Sequence, residues 1–400
     1  MKNRDIYMSQ LMEFKDKKLI KVITGMRRCG KSTLLDLLES ELIKNGTASN
    51  SIIHINFESM KYDHISDYKI LYQYVSERIQ PHSKMYIILD EVQQVRAWEK
   101  AINSFMVDYD VDIYITGSNA YLLSSELSTL LSGRYVEIRM LPLSFKEFLN
   151  FNNFDSQLRI EDKFDQYLKY GGLPGILELN NNEPTINTFL TGIYNTVIMK
   201  DVIQRNSVKD ISLLENIVKF IIHNIGSIVS PKSISDYINS DGRKTSSDTV
   251  DNYLNMLEKA FIIYKVRRYD VKGKQFLKTL GKYYVVDIGI RNALLGYRDA
   301  DYGHILENIV YFELLRRKYE VSIGKCNDYE IDFVATRQDT KKYYQVALTV
   351  AVDTVYDREM RSLQSIKDNY EKTVLSMDRN FIQSQNGIKC QNIIDFLLEE

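Results

Sequence analysis

LIKVITGMRRCGKSTLLDLLESEL, Leu19 to Leu42, decides how the rest of the chain is read. It opens as an apolar strand that stops at Gly25. It closes with Leu34, Leu35, Leu37 and Leu38 in a helical stripe that begins at about Lys31. Between them GMRRCGKST, Gly25 to Thr33, fits G-x-x-x-x-G-K-[ST] in the strand-then-helix setting this pattern needs. Such a loop curls backbone N–H groups around phosphate oxygens, and the helix N-terminus behind it adds a favourable dipole. Lys31 would reach the β- and γ-phosphates and Ser32 would ligate Mg²⁺. Gly25, Met26, Cys29, Gly30 and Thr33 would complete the cradle, with Arg27 and Arg28 solvent-facing or beside the nucleotide.

Outward from this loop, SIIHINF, MYIILD and VDIYIT are short runs rich in Ile, Tyr and Val, separated by helical patterns. That alternation predicts a parallel α/β sheet over roughly the first 148 residues. MYIILDEVQQV, Met85 to Val95, ends its strand in two acids. Asp90 would hold Mg²⁺ through its water, and Glu91 would orient or deprotonate an attacking water. VDIYITGSNA ends in Ser118 and Asn119. Asn119, slightly ahead of Ser118, would sense the γ-phosphate or the water; the competing reading is a helix cap. LLSGRYVEIRMLPLSFKEF offers Arg134 as a charge-stabilising arginine, acting within the chain or on a neighbouring subunit, or as an ordinary surface residue.

Bulk properties narrow the classes. The chain has 400 residues, 44% of them hydrophobic and 26% charged, enough for two or three domains with a large core. A net charge of −1 gives no global field toward nucleic acid or membrane, so any such contact must be local. Cys29, Cys326 and Cys390 are odd in number and scattered, which argues against disulfides or a zinc site and suits a reducing cytosol. The N-terminal stretch reads as polar throughout with no signal core, and no apolar run approaches the ~20 residues of a membrane span. A cytoplasmic protein is expected.

Taken together, GMRRCGKST, LDEVQ, ITGSNA, SGRY and LPLSFKEF resemble the bacterial and archaeal AAA-type ATPases. YGGLPGIL, KDVIQR, YYVVDIGIRNALLG, LENIVYFELLRR and EIDFV extend the likeness to the group whose C-terminal portion is a domain of unknown function related to restriction endonucleases. The resemblance implies ATP binding, a winged-helix middle and a nuclease-like tail. The preference for ATP over GTP rests on it alone. The expected fold is α/β: a P-loop NTPase parallel-sheet domain at 1–148, a helical lid or linker at 149–205, a winged helix-turn-helix at 206–298, and a PD-(D/E)XK-like domain at 299–400.

The middle segment has helix-turn-helix spacing. Ile234, Tyr237 and Ile238 form one apolar stripe and Val250, Leu254 and Leu257 another, followed by a two-stranded wing. From Ser230 to Lys282 there are eleven Lys+Arg against six Asp+Glu. Lys265, Arg267, Arg268, Lys272 and Lys274 would contact DNA phosphates, whereas Asp251 and Glu258 on the presumed recognition helix oppose that approach. The rival use is a lid or packing module.

In the tail, Glu307 on a helix and Glu330 and Asp332 on a strand suit a metal nuclease. The next strand, however, puts Gln345 and Ala347 where such enzymes carry an acid and a lysine. Lys341 and Lys342 would have to swing inward to substitute. The tail is therefore expected to be catalytically degenerate. The function expected is ATP hydrolysis as a conformational switch, with ATP and Mg²⁺ as cofactors, acting on DNA or on a protein partner or as a homo-oligomer. The alternatives are a nucleotide-regulated DNA-binding protein and an ATP-dependent nuclease.

Overall fold

The alternating runs become β1 (Ile20–Thr24), β2 (Ile52–Asn56), β3 (Met85–Asp90), β4 (Val111–Thr116) and β5 (Tyr135–Arg139). They form one sheet in the order β2-β3-β4-β1-β5, every pairing parallel. The computed structural model describes residues 2–81, 83–117, 131, 133–179, 182–298, 301–379 and 384–399, with the side chains at 278, 279, 353, 354 and 385 excepted. β1, β3 and β4 are buried at every position because both faces of the sheet are covered. Alternate residues feed two cores. Val22, Ile87 and Ile113 pack with α3 (Tyr68–Ser76) and α4 (Trp98–Asp108). Ile23, Ile88 and Tyr114 pack with α1 (Asp5–Glu13) and α2 (Lys31–Lys44). The N-terminal stretch is thus less polar in effect than its composition: helix α1 buries Tyr7, Met8 and Leu11.

Residues 1–141 with 259–261 make one compact unit, and the rest of the chain makes the other. The second unit begins with α5 (Phe145–Phe151), whose capping box pairs Ser144 with Glu147, then α6 (Ile160–Tyr170) and α7 (Glu183–Val197). Next come α8 (Ile211–His223), α9 (Pro231–Ser240) and α10 (Ser247–Lys259). The expected stripes of α9 and α10 are buried except at Tyr237, which is 58% exposed and rests against Phe220.

The hairpin expected as a wing is β6 (Ile263–Asp270) with β7 (Gln275–Val285). It is not free-standing. β6 pairs in parallel with β8 (Glu320–Cys326), so the hairpin forms one edge of an eight-stranded sheet. The other strands are β9 (Tyr329–Arg337), β10 (Thr340–Val346), β11 (Glu371–Ser376), β12 (Ser384–Gln385) and β13 (Ile388–Asn392), in the order β12-β13-β11-β10-β9-β8-β6-β7. A boundary at residue 298 therefore falls between strands of one sheet. Helices α11 (Ile288–Leu295), α12 (Tyr302–Arg316), α13 (Asp353–Gln364) and α14 (Ile393–Leu398) complete this unit among the described residues. α12 is buried at every position from Ile305 to Leu314, which is why its sequence shows no amphipathic stripe. Among the described residues, no helix is long and apolar enough to cross a membrane.

One close approach in this unit leaves no room for side chains. Gly171 ends α6 at φ +78°, where an added Cβ would lie 2.3 Å from Asp287 Oδ1. The buried Asp287 carboxylate accepts from the N–H groups of Gly172 (2.8 Å) and Ile290 (3.1 Å), and so ties this turn to the start of α11. Burial pushes its pKa up to about 6 despite these donors. Gly171→Ala should destabilise this unit by about 2–4 kcal/mol, the sum of left-handed strain and overpacking. The midpoint of urea unfolding followed from this unit measures it.

Candidate active site

The C-terminal edge of the first sheet gathers the sequence motifs. Gly25 follows β1 at φ +140° with so little space that a Cβ would sit 2.2 Å from the Met140 carbonyl oxygen. The buried Cys29 faces the same carbonyl at 3.6 Å. Arg4, buried before α1, donates to the carbonyls of Cys29 (3.2 Å) and Leu141 (2.8 Å), and so braces the loop from behind. α2 begins at Lys31 with no capping side chain, so its first backbone donors are offered to the loop. Lys31 is buried and donates to the carbonyls of Gly25 (3.0 Å) and Met26 (3.1 Å). Ser32 and Thr33 are exposed. Arg27 lies 3.7 Å from Glu58, and Arg28 is exposed at φ +65°.

The two acids are buried at the end of β3. The Thr116 hydroxyl, at the end of the neighbouring β4, donates to Asp90 Oδ1 and accepts from the Glu91 N–H at 2.9 Å. Asn56, at the end of β2, donates to Asp90 Oδ2 at 3.0 Å. A carboxylate has about four acceptor positions, so these two bonds orient Asp90 and leave it able to meet a hydrated cation. Glu91 stands at φ +55°, an uncommon conformation for a residue with a side chain, and Gln93 donates to its Oε2. The donor set fits a nucleotide with Mg²⁺: backbone amides and an ammonium for phosphate, a hydroxyl and a carboxylate for the ion.

Ser118 and Asn119 lie outside the described residues. Arg134 is exposed just before β5, and its carbonyl accepts from Ile20, the first residue of β1. Its backbone is therefore a strand length, about 13 Å, from the loop that follows Thr24. A role for Arg134 on its own chain's phosphates does not follow from this placement, which leaves the in-trans reading and that of an ordinary surface residue. The arginine at the phosphate end of β5 is Arg139, in register with Thr24 and 3.2 Å from Glu137, which in turn accepts from Thr24 at 2.7 Å. Arg4, Asn56, Gln93, Thr116, Glu137 and Arg139 were not singled out by sequence. Only the strand-end positions of Asn56 and Thr116 could have pointed to them.

The tail holds a second polar cluster. Glu307 and Asp332 come together as expected, but the centre is taken by Lys282 from β7, whose ammonium lies 2.7 Å from Glu307, 2.8 Å from Glu330 and 3.5 Å from Asp332. The lysine missing from β10 thus arrives from the hairpin. Gln345 is no carboxylate substitute. Its Oε1 accepts from the Asp332 N–H (3.0 Å) and its Nε2 donates to Glu359 (2.7 Å). Ala347 belongs to the apolar core. Lys342 pairs with Glu371 at 2.8 Å, and Lys341 lies over the rings of Tyr269 and Tyr370, so neither swings inward. No group of three or more Asp, Glu, His or Cys placed to hold a metal ion occurs among the described residues.

This edge of the first sheet, with its loop, lysine and paired acids, defines a P-loop protein of the AAA type. Residues 17–149 match the family described as an AAA domain, and residues 161–301 match a domain of unknown function, DUF8612. The second match spans the expected lid and winged-helix segments and stops where the tail begins. An uncharacterized protein of Haemophilus influenzae is 43% identical across 99% of this chain and 98% of its own length. Uncharacterized protein MJ1544 of Methanocaldococcus jannaschii is 30% identical across 87% of this chain and 79% of its own. The chain belongs to the family these proteins form. In fold it is similar to the Walker-type ATPase PABY2304 of Pyrococcus abyssi, with a TM-score of 0.52, 16% identity, and coverage of 74% of this chain and 96% of that one.

The tail cluster has a pH signature. Burial, followed by the charge of Glu307, pushes Asp332 up to about 7. Burial also pushes Glu307 up, but the charge of Lys282 together with hydrogen bonds from His304, Lys282 and Tyr284 outweighs it and holds Glu307 below its usual value. An acid raised by folding contributes stability that is complete below its unfolded value of about 4 and is lost as pH rises through about 7. Asp332→Asn should therefore flatten the stability profile between about pH 4 and 7, while Glu307 titrates with the opposite sign in both proteins. Lys282→Met should cost about 3–5 kcal/mol above pH 7, because it strands buried carboxylates, and less near pH 5. Urea midpoints across this range test both.

Proposed function

We propose that the protein binds ATP with Mg²⁺ and hydrolyses it to ADP and phosphate as a conformational switch. One observation carries this reading: a single sheet edge collects a backbone cradle and a buried lysine after β1 and two buried acids at the end of β3, both bonded to Thr116 at the end of β4. Lys31 would exchange the carbonyls of Gly25 and Met26 for phosphate oxygens, a stronger partner for an ammonium. Ser32 and Asp90 would hold the metal, which when bound neutralises charge developing on the phosphate oxygens. Glu91 would take the proton of the attacking water. Adenine in preference to guanine is supported by the family alone, and a reducing cytosol by three free, buried cysteines.

Lys31→Ala should abolish nucleotide binding or turnover. Glu91→Gln should keep binding while lowering kcat by ~10²–10⁴. Phosphate release and equilibrium binding of a non-hydrolysable ATP analogue separate the two outcomes, and unchanged release in Lys31→Ala defeats the reading.

For the partner we favour duplex DNA. Lys265, Arg267, Lys272 and Lys274 are exposed along β6 and the hairpin turn, beside Phe276 at 59% exposure. The acids expected to oppose phosphate on α10 do so less than their sequence suggests. Glu258 has a buried carboxyl oxygen and is pushed up to about 7 by burial, and Asp251 lies 3.9 Å from Lys265. Removing one phosphate-binding cation should reduce the salt slope of duplex affinity by about one. Titrations of Arg267→Ala and Lys274→Ala between low and moderate salt check this, and parallel slopes would direct the search to a protein partner. The tail reads as a body that the switch moves, not a nuclease, because Lys282 occupies the place a metal would need. Metal-dependent cleavage abolished by Asp332→Ala would reverse that.

A further inference from the structure

The turn Val92–Gln94 follows Glu91 directly. It is a single 3-10 turn, closed by the bond from the Gln94 N–H to the Glu91 carbonyl at 3.1 Å. In it the side chain of Gln93, two residues on, reaches the Glu91 carboxylate and donates through Nε2 to Oε2. The other end of the same amide, Oε1, is buried and has no donor among the described residues. The backbone of Glu91 is fixed by Thr116, but fixing a backbone does not fix a three-bond side chain. The described bond that orients this carboxyl group comes from Gln93.

We infer that Gln93 is the positioning residue of the reaction: its amide holds Glu91 in the orientation that accepts a proton. This rests on the hydrolytic reading above. The orphaned Oε1 needs an O–H or N–H donor, since a buried acceptor left alone is costly. The water that Glu91 would deprotonate is such a donor. One side chain would then align both the base and the water. Burial of Glu91 makes this arrangement sensitive to small displacements, because a misplacement of about 1 Å at a reacting group can cost ~10²-fold in rate.

The experiment compares steady-state ATP hydrolysis by the full chain, its Gln93→Ala variant and its near-isosteric Gln93→Met variant. A non-hydrolysable analogue measures binding, and Gln93→Met carries the comparison if Gln93→Ala fails to fold. Expected are a fall in kcat of ~10–100-fold with KM and analogue affinity within about threefold. A kcat within twofold of the parent overturns the inference and leaves the hydrolytic reading standing. So does a change confined to KM. A parent protein that binds the analogue but turns over no ATP overturns both.

Discussion

A parallel sheet covered on both faces can place polar side chains cheaply only at the ends of its strands. Everything that reads as chemistry in the first unit follows from this. β1, β3 and β4 are buried throughout, so the loop, Asp90 and Thr116 can meet water only where their strands stop. The order β2-β3-β4-β1-β5 sets β4 between the strand that launches the phosphate loop and the strand that carries the acids. The Thr116 hydroxyl is therefore the group that bonds to both acids, donating to one carboxylate and accepting from the next residue's amide. The exception inside the sheet obeys the same rule. Lys21 and Asp112 are fully buried on neighbouring strands and are paired with each other, and Asp112 also accepts from Tyr114 at 2.9 Å.

Much of this was legible in the residues. The apolar runs, the G-x-x-x-x-G-K-[ST] loop and the acid pair are local patterns, and local patterns survive folding when the core demands them. What the residues hid was adjacency. Asn56 and Thr116 end their strands on single polar side chains, which looks like any strand terminus until the strand order brings both against Asp90. Arg134 is an opposite case. It stands beside a motif in sequence, yet the parallel pairing of β5 with β1 sends it to the far end of the sheet and brings Arg139 to the near one.

The second unit was harder for a physical reason. Lys282 lies 25 residues from Glu307 and 50 from Asp332 in sequence, and it sits in a hairpin whose basic composition pointed to a wing. A lysine in a solvated wing and a lysine neutralising three carboxylates have the same one-letter code. Only the parallel pairing of β6 with β8 tells them apart. The cluster it completes is not strong evidence of stability. Removing one member strands buried charge, but forming the cluster already costs the desolvation of several ions, so the net gain is small compared with the penalty for breaking it. Such a cluster fixes register. Lys282 holds β7 to β9 and to α12 at one alignment, and Tyr284 on the same strand donates to Glu307 as well.

Just before this hairpin the chain passes through the first unit: residues 259–261 belong with it, although the chain before and after them belongs with the other. Phe261 takes φ +57°, and the Arg139 guanidinium lies 5.8 Å from its ring centre. Two residues later β6 begins. β6 carries the exposed basic side chains and pairs on one flank with β8. On its other flank it pairs with β7, whose lysine is locked among three carboxylates. Within its own unit the basic face of β6 is thus held on both sides, and a rearrangement of the hairpin would have to break either the pairing with β8 or the contacts of Lys282.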